Sequence, residues 1–263
     1  MTKMTKEIFG RYMRRNAQRR FRKIRPYLVG QTLLDVGAAE GWIGEAVAEE
    51  CGMEVDLVDV VDLNRTGLPH QVYDGRRLPF PDKSRDSVTV LLTLHHCEDP
   101  AAVLAEAVRV ARQRIIVTES VYRTRPGRAL LRSMDGGFNG LRTDGAMAPA
   151  LHFKTVPQWR DIFREHELSI VEEAWLSRGL HWQRLFVLDV DAVRHDAVRG
   201  RFETASGACL DYQSDGDGAL VIAHTFVPED QRGRGLAQRL LEAFASVRTH
   251  FGGADAGCGK CLK

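Results

Sequence analysis

The stretch Leu33–Gly44, "LLDVGAAEGWIG", has the residue types of a turn that binds a small molecule. An apolar run ends in Asp35, and Gly37, Ala39 and Gly41 follow before a segment with helical spacing. A carboxylate at a strand end can hold an ammonium group. The amides of the turn and of a helix N-terminus can hold a carboxylate. The pattern therefore predicts a site for a zwitterionic cofactor.

Two other nucleotide-binding loops fit this stretch less well. A dinucleotide fold needs G-x-G-x-x-G, whose third glycine allows the helix to pack closely on the strand. Counting from Gly37 puts Ala39 second and Trp42 third, and a tryptophan cannot replace that glycine. A phosphate-binding P-loop fails as well, because no Gly-Lys-Ser/Thr follows.

His95 and His96 are adjacent histidines that follow the strand-like run "VTVLLTL". Ligands of open α/β sheets bind at the carboxyl ends of the strands, so these imidazoles are expected beside a ligand. The ordinary pKa of an imidazole suits a general base that removes a proton from an oxygen or nitrogen acceptor. A hydrogen-bonded turn histidine that shapes the pocket is the alternative.

The five cysteines are scattered along the chain and form no disulfide framework, which favours a reducing cytoplasm. Cys258 and Cys261 make a lone C-x-x-C without a second ligand pair at suitable spacing, so no metal site is predicted. The N-terminal residues lack the apolar core of a signal peptide, and no apolar run is long enough to span a bilayer. A soluble cytoplasmic protein is therefore expected.

From residue 31, segments with strand and helix patterns alternate. This alternation predicts an α/β fold with a mostly parallel sheet, helices on both faces and an antiparallel pair of strands at the end. Residues 124–150 are predicted to be an irregular insert that shapes a substrate pocket. From about residue 189, short strands and a single helix indicate a second, small α+β domain.

Residues 11–25 contain eight arginines and lysines and no acid. Tyr12, Ala17, Phe21 and Ile24 recur at near-helical spacing, which predicts an amphipathic helix packed on the domain. Its basic residues are a solvated face or a site for an acidic partner. An RNA substrate is kept as an alternative to a small molecule for this reason.

The acid-x-G-x-G-x-G loop resembles that of the class I S-adenosylmethionine-dependent methyltransferases. "YDGRRLPFPDKSRDSV" and "LLTLHHCEDPAAVLAEAVRVAR" extend the resemblance, in the ubiquinone-type branch, over about residues 30–188. It implies that Asp59, 18 residues after Gly41, accepts the ribose hydroxyls. Asp56 and Asp62 are the alternatives. It also implies that Asp74, with Gly75, meets the adenine amino group, although Asp74 could be an ordinary turn aspartate.

The chain departs from the family pattern at two positions. Ala39 replaces the middle glycine, and the expectation is that φ there is negative and that binding survives. Arg85 replaces a phenylalanine before Asp86, and some loss of packing is expected.

"HTFVPEDQRGRGLAQRLLEAF" resembles the acetyl-CoA-binding core of GNAT-type N-acetyltransferases. The strand ends at Phe226 and Val227, just before Pro228. The R-x-x-G-x-A signature then comprises Arg232, Gly233, Arg234, Gly235, Leu236 and Ala237. In that family another strand follows the helix, whereas "GGADAGCGKCLK" has no strand pattern, so the domain is expected to be incomplete and poor at acetyl transfer.

The predicted organisation is a basic N-terminal helix or lid (1–30), a Rossmann-like methyltransferase domain (31–188) and a GNAT-like domain (189–263). The expected activity is methyl transfer from S-adenosylmethionine to a small-molecule acceptor, with no metal and no nucleic-acid partner. One alternative is a bifunctional protein whose main reaction is acyl transfer from acetyl-CoA. The other is a non-catalytic protein that only binds the cofactor.

Overall fold

In the computed structural model, the chain is described over residues 3–143, 150–179, 181–215, 219–233 and 235–251. It divides into two compact units, Met1–Val190 and Asp191–Lys263. None of the helices in these ranges combines the length and the apolar composition needed to cross a membrane.

Within the described residues, the first unit contains a seven-stranded sheet and five α-helices. Its strands are β1 (Thr32–Val36), β2 (Glu54–Asp59), β3 (His70–Val72), β4 (Arg85–Leu91), β5 (Ala111–Ser120), β6 (Ser169–Ser177) and β7 (Gln183–Asp189). Its helices are α1 (Lys3–Ile24), α2 (Trp42–Cys51), α3 (Pro100–Val110), α4 (Arg125–Thr143) and α5 (Val156–Glu165).

The strand order is β3-β2-β1-β4-β5-β7-β6, with β7 antiparallel to both neighbours and the other pairs parallel. The predicted Rossmann-like sheet with a final antiparallel pair is therefore confirmed. The central strands are buried on both faces, as parallel strands covered by helices must be. From β1 the chain continues to β2 on one side of the sheet, and from β4 it continues to β5 on the other side. The connections therefore diverge, and a crevice opens between the carboxyl ends of β1 and β4.

Helix α4 corrects the prediction of an irregular insert over residues 124–150. Residues 125–143 are helical, although the segment contains Gly127, Gly136 and Gly137. Leu131 and Met134 are one helical turn apart, and Leu131 is buried. The glycines hid this apolar period, because glycine is a poor helix former that tertiary packing can override.

The described part of the second unit contains a four-stranded antiparallel sheet and one α-helix. Its elements are β8 (Arg194–Asp196), β9 (Arg201–Glu203), β10 (Cys209–Ser214), β11 (Leu220–Phe226) and α6 (Leu236–Phe251), and the strand order is β11-β10-β9-β8. Leu236, Leu240 and Phe244 of α6 pack with Phe202 and Leu210 of the sheet. The predicted small α+β architecture is confirmed. The tail with Cys258 and Cys261 lies outside the described residues.

Candidate active site

One cavity of about 1330 Å³ lies at the carboxyl edge of the first sheet. The nine preferred site residues predicted for the first unit all line it: Asp35, Gly37, Ala39, Gly41, Asp59, Asp74, Gly75, His95 and His96. They come from four separate stretches of the chain, and the strand order brings these stretches together.

The turn between β1 and α2 is tight. Gly37, Ala39 and Gly41 all have left-handed backbone angles, with φ of 72°, 50° and 78°. A Cβ on Gly37 would collide with the Thr93 side chain, and one on Gly41 would lie 2.6 Å from Leu57 Cδ1. The expectation of a negative φ at Ala39 is wrong: the turn needs the left-handed conformation here, and alanine adopts it at a small energetic cost.

Most amides of this turn are already used within the protein. Gly37 and Ala38 donate to the Val58 carbonyl, and Gly41 donates to the Ala38 carbonyl. The Ala39 amide donates to Asp59 Oδ2 at 2.9 Å. A carboxylate of the ligand would therefore meet the first turn of α2, whose amides have no partner within the helix.

Asp35 is a buried carboxylate at the end of β1, and it accepts a hydrogen bond from Thr89 Oγ1 at 2.7 Å. Burial is the main cause that raises the pKa of Asp35 to about 7. The Thr89 bond opposes this rise, and the nearby charge of Asp59 adds to it. A cationic ligand group beside Asp35 would restore its ionised form.

The neighbouring aspartates have different partners. Asp56 makes two bonds to the Arg85 guanidinium, at 2.5 and 3.0 Å, and Asp62 lies 3.5 Å from His70 Nδ1. Neither Asp56 nor Asp62 lines the cavity, whereas Asp59 does. The Arg85 guanidinium also lies 5.0 Å from the centroid of the Phe80 ring, so the arginine gains partners that the sequence did not suggest.

Asp74 is exposed at the rim of the cavity. Its Oδ1 accepts the amides of Arg76 and Arg77 at 2.8 and 3.1 Å, and these bonds lower the pKa of Asp74. The carboxylate thus stabilises the turn it belongs to, as the alternative interpretation supposed, and its position at the rim still allows it to meet a ligand.

His95 is buried in a network that the sequence did not reveal. Its Nδ1 lies 2.6 Å from Glu119 Oε2, and its ring stacks on Phe153 with centroids 4.8 Å apart. Burial would lower the pKa of His95, but the charges of Glu119 and Asp135 raise it to about 9. A buried, protonated imidazole is a poor base, so this geometry favours the pocket-shaping alternative for His95.

Glu119 and Asp135 are the acidic partners that sequence reasoning missed. Glu119 is buried at the end of β5, and Asp135 lies on α4. Asp135 Oδ1 is 3.8 Å from His95 Nε2 and 3.6 Å from His96 Nε2. Glu119 and Asp135 lie too far from the histidines in the sequence to form a local motif with them. The signal for Glu119 was a lone acid at the carboxyl end of an apolar strand.

Helix α1 contributes one wall of the same cavity. Arg19, Arg20 and Lys23 line it, together with Tyr12 and Met13. On the opposite side the helix packs on the domain through Phe21, which is buried among Leu33, Val47 and their neighbours. The amphipathic helix predicted from residues 11–25 is therefore present, and part of its basic face is turned to the cavity.

The candidate acetyl-CoA residues lie between β11 and α6. Phe226 ends β11, and Val227 and Pro228 follow it. Gly233 and Gly235 have φ of 78° and 72°, and a Cβ at either would meet nothing within 4 Å. The remaining candidates are Arg232 before these glycines, Leu236 and Ala237 at the start of α6, and Arg234, which lies outside the described residues.

Two segments of the chain match known families. Residues 34–116 match the family described as "Methyltransferase domain", and residues 200–251 match "GCN5-related N-acetyl-transferase". The demethylmenaquinone methyltransferase of Renibacterium salmoninarum is 32% identical over 104 residues, 36% of this chain and 44% of that protein. The chain thus spans less than half the length of this curated relative. Both resemblances are borne out at the level of these matches: a stretch similar to methyltransferase domains is followed by a stretch similar to GCN5-related N-acetyl-transferases.

Solved structures share the fold of the first unit. Geranyl diphosphate methyltransferase in complex with GPP and sinefungin has a TM-score of 0.53 at 14% identity, covering 66% of this chain and 77% of that one. The cyclase SpnF has a TM-score of 0.50 at 16% identity, covering 65% and 79%. At such identities the likeness shows the fold alone. The presence of a cyclase illustrates that one fold hosts different reactions.

Proposed function

We propose that the first unit transfers a methyl group from S-adenosylmethionine to a small anionic acceptor. The observation that carries this proposal is the convergence of Asp35, Asp59 and the β1–α2 turn on one cavity. The match of residues 34–116 to a methyltransferase domain supports it. The cytoplasmic location expected from the composition stays a prediction.

The residues of the turn fit this cofactor. Asp35 is a buried carboxylate that gains a partner when an ammonium group binds beside it. The first turn of α2 suits the carboxylate of the same ligand. Asp59, Asp74 and Gly75 line the cavity. In this proposal Asp59 accepts the ribose hydroxyls, and Asp74 with Gly75 meets the adenine edge.

S-adenosylmethionine, when bound, supplies a methyl group that its sulfonium has already activated. The chain's own residues then have to hold the acceptor in line and exclude water. Such orientation can lower a barrier by roughly 7–11 kcal/mol. We propose α1 as the lid that does both, because its face with Tyr12 and Met13 closes one side of the cavity.

The acceptor class follows from the charge of that wall. Arg19, Arg20 and Lys23 place positive groups on the side of the cavity formed by α1. An acceptor with a carboxylate or phosphate group matches this wall. A general-base role for His96, or for His95, stays a prediction.

The test is thermal denaturation of the full chain with S-adenosylmethionine, S-adenosylhomocysteine, acetyl-CoA or a nicotinamide dinucleotide. A ligand at 100 times its dissociation constant stabilises the fold by about 2.7 kcal/mol. The first two ligands should raise the midpoint in the wild type and much less in Asp35→Asn. Stabilisation by the nicotinamide dinucleotide alone contradicts the proposal. Binding without methyl transfer to a panel of anionic and neutral acceptors would favour a non-catalytic cofactor-binding protein.

A second candidate function belongs to the second unit. The match of residues 200–251 to GCN5-related N-acetyl-transferases supports acetyl-CoA binding at the turn before α6. Successive amides at a turn and a helix N-terminus suit a pyrophosphate. Acyl transfer by this unit is the alternative main activity, and an amine-acetylation assay on the full chain distinguishes it.

A further inference from the structure

Three side chains with metal-binding atoms meet at one wall of the cavity. His95 and His96 lie in the 3-10 turn after β4, and Asp135 comes from α4. One ligand atom from each residue lies within 4.8 Å of the other two. All three residues line the cavity that also contains Asp35 and Asp59.

The spacing of these atoms suits a shared cation. Asp135 Oδ1 is 3.8 Å from His95 Nε2 and 3.6 Å from His96 Nε2, so one carboxylate oxygen faces both imidazoles at ion-pair distance. Metal–ligand bonds of about 2.0–2.2 Å hold neighbouring ligand atoms roughly 3–4 Å apart. The carboxylate and both imidazoles therefore need only small movements to share one ion.

Glu119 contacts His95 at the ring nitrogen that is not used as a metal ligand. Its Oε2 lies 2.6 Å from His95 Nδ1, and its Oε1 accepts the amide of Leu94 at 2.9 Å. Metal-binding histidines usually donate their other ring N–H to a carboxylate, which fixes the tautomer and aims the free nitrogen at the ion. The stacked Phe153 ring holds the His95 imidazole in the same orientation.

We propose that His95, His96 and Asp135 bind one divalent transition-metal ion, with Glu119 as the positioning residue for His95. Two imidazoles and one carboxylate form the ligand set of open sites for such ions, whereas Mg²⁺ prefers oxygen ligands. Three protein ligands leave positions open towards the cavity.

The consequence for the reaction rests on the proposed function. An oxygen of an anionic acceptor would occupy an open position on the ion. The acceptor would then be held between the ion and the basic wall of α1. Neither imidazole would act as a general base in that state, because both nitrogens that face the cavity are used as ligands.

The experiment titrates Co²⁺ into the full-length, tag-free protein after treatment with a chelator. Cys258→Ser and Cys261→Ser are introduced in all samples to remove the C-x-x-C thiols as competing ligands. The readouts are the visible absorption of bound Co²⁺ and calorimetry, with Mg²⁺ as the comparison ion. The parent protein should bind one equivalent of Co²⁺ saturably, and Mg²⁺ should bind at least tenfold more weakly.

His96→Gln and Asp135→Asn should each weaken Co²⁺ binding at least tenfold, and Glu119→Gln by about 10–100-fold. Asp62→Asn is the matched control, because Asp62 also faces a histidine, His70 Nδ1 at 3.5 Å, and does not line the cavity. It should leave Co²⁺ affinity unchanged. Far-UV circular dichroism of every variant identifies any that do not fold, and the folded variants carry the comparison.

Absence of saturable Co²⁺ binding in the parent protein overturns the proposal and leaves an ion-paired histidine network. Unchanged affinity in both folded His96→Gln and folded Asp135→Asn overturns it as well. Stabilisation by S-adenosylmethionine is measured on the same samples. It should persist in Asp135→Asn, so failure of the metal site and failure of the proposed function give different results.

Discussion

At the scale of single residues, Asp35 couples the charge state of the cavity to folding. Its pKa in the folded chain is about 7, against an ordinary value near 3.9. Between these pH values the folded state therefore binds more protons than the unfolded state. The contribution of protonated Asp35 to the free energy of unfolding is complete below pH ~4 and is lost as the pH rises through about 7. Asp59 and Arg20, the charged groups that influence Asp35, oppose each other's effect on its pKa.

Asp35→Asn should consequently weaken S-adenosylmethionine binding and stabilise the fold. Relative to the wild type, the variant should gain free energy of unfolding between pH 4 and pH 8, by up to roughly 4 kcal/mol. Urea unfolding of both proteins at pH 5 and pH 8 measures this difference, and other titrating groups cancel in it. A difference that is the same at both pH values would show that Asp35 has an ordinary pKa.

The same residue predicts a pH dependence of cofactor binding. Only the ionised carboxylate attracts an ammonium group, so S-adenosylmethionine should bind the wild type several-fold more tightly at pH 7.5 than at pH 6. Calorimetry at the two pH values checks this. Asp35→Asn should bind weakly at both, and a flat profile in the wild type would argue against Asp35 as the ammonium partner.

Asp59 carries the third prediction about a single residue. Asp59→Ala should weaken S-adenosylmethionine binding by about 1.5–3 kcal/mol, because hydrogen bonds to a charged group are lost. It also removes the acceptor of the Ala39 amide. Asp62→Ala is the control, since Asp62 is an exposed carboxylate that does not line the cavity. Equal losses in the two variants would assign no special role to Asp59.

At the scale of elements, the β1–α2 turn shows what a sequence can predict. Its apolar strand, its acid and its glycines lie within twelve residues, Leu33 to Gly44, and local geometry accounts for each of them. The mostly parallel sheet was predictable for a similar reason, because segments with strand and helix periods alternate along the chain. The backbone angle of Ala39 was not predictable, since alanine tolerates both signs of φ at different cost.

Helix α4 and the contacts of His95 are features that local sequence patterns could not predict. Glycines hid the apolar period of α4, so Asp135 was assigned to an irregular insert. Asp135 meets His95 and His96 only because α4 packs beside the turn after β4, and no spacing rule joins residues 40 positions apart. Glu119 was equally hidden, although it follows an apolar run at the carboxyl edge of the sheet.

The left-handed conformation of the β1–α2 turn predicts opposite effects of substitution at Ala39 and at Gly37. Ala39→Gly should leave S-adenosylmethionine affinity unchanged or slightly higher, and should stabilise the fold by up to about 1 kcal/mol, because glycine adopts φ of 50° without strain. Gly37→Val should abolish binding, because its side chain would collide with Thr93 at a left-handed position. Calorimetry and thermal denaturation test both, and loss of binding in Ala39→Gly would contradict this account of the turn.

At the scale of the whole molecule, two units with separate cores carry two candidate cofactor sites. The first core surrounds the parallel sheet, and the second is the cluster of Phe202, Leu210 and their neighbours on α6. The described residues that line the first cavity all belong to the first unit.

The last prediction is that the two ligands bind the full chain independently. Asp35→Asn should lose stabilisation by S-adenosylmethionine and keep acetyl-CoA binding. Gly235→Val should do the reverse, because a β-branched residue at φ of 72° strains the turn before α6. Calorimetry of both ligands against the wild type and the two variants measures the four affinities. Loss of both ligands in either variant would show that the units are coupled, and no acetyl-CoA binding in the wild type would remove the second site.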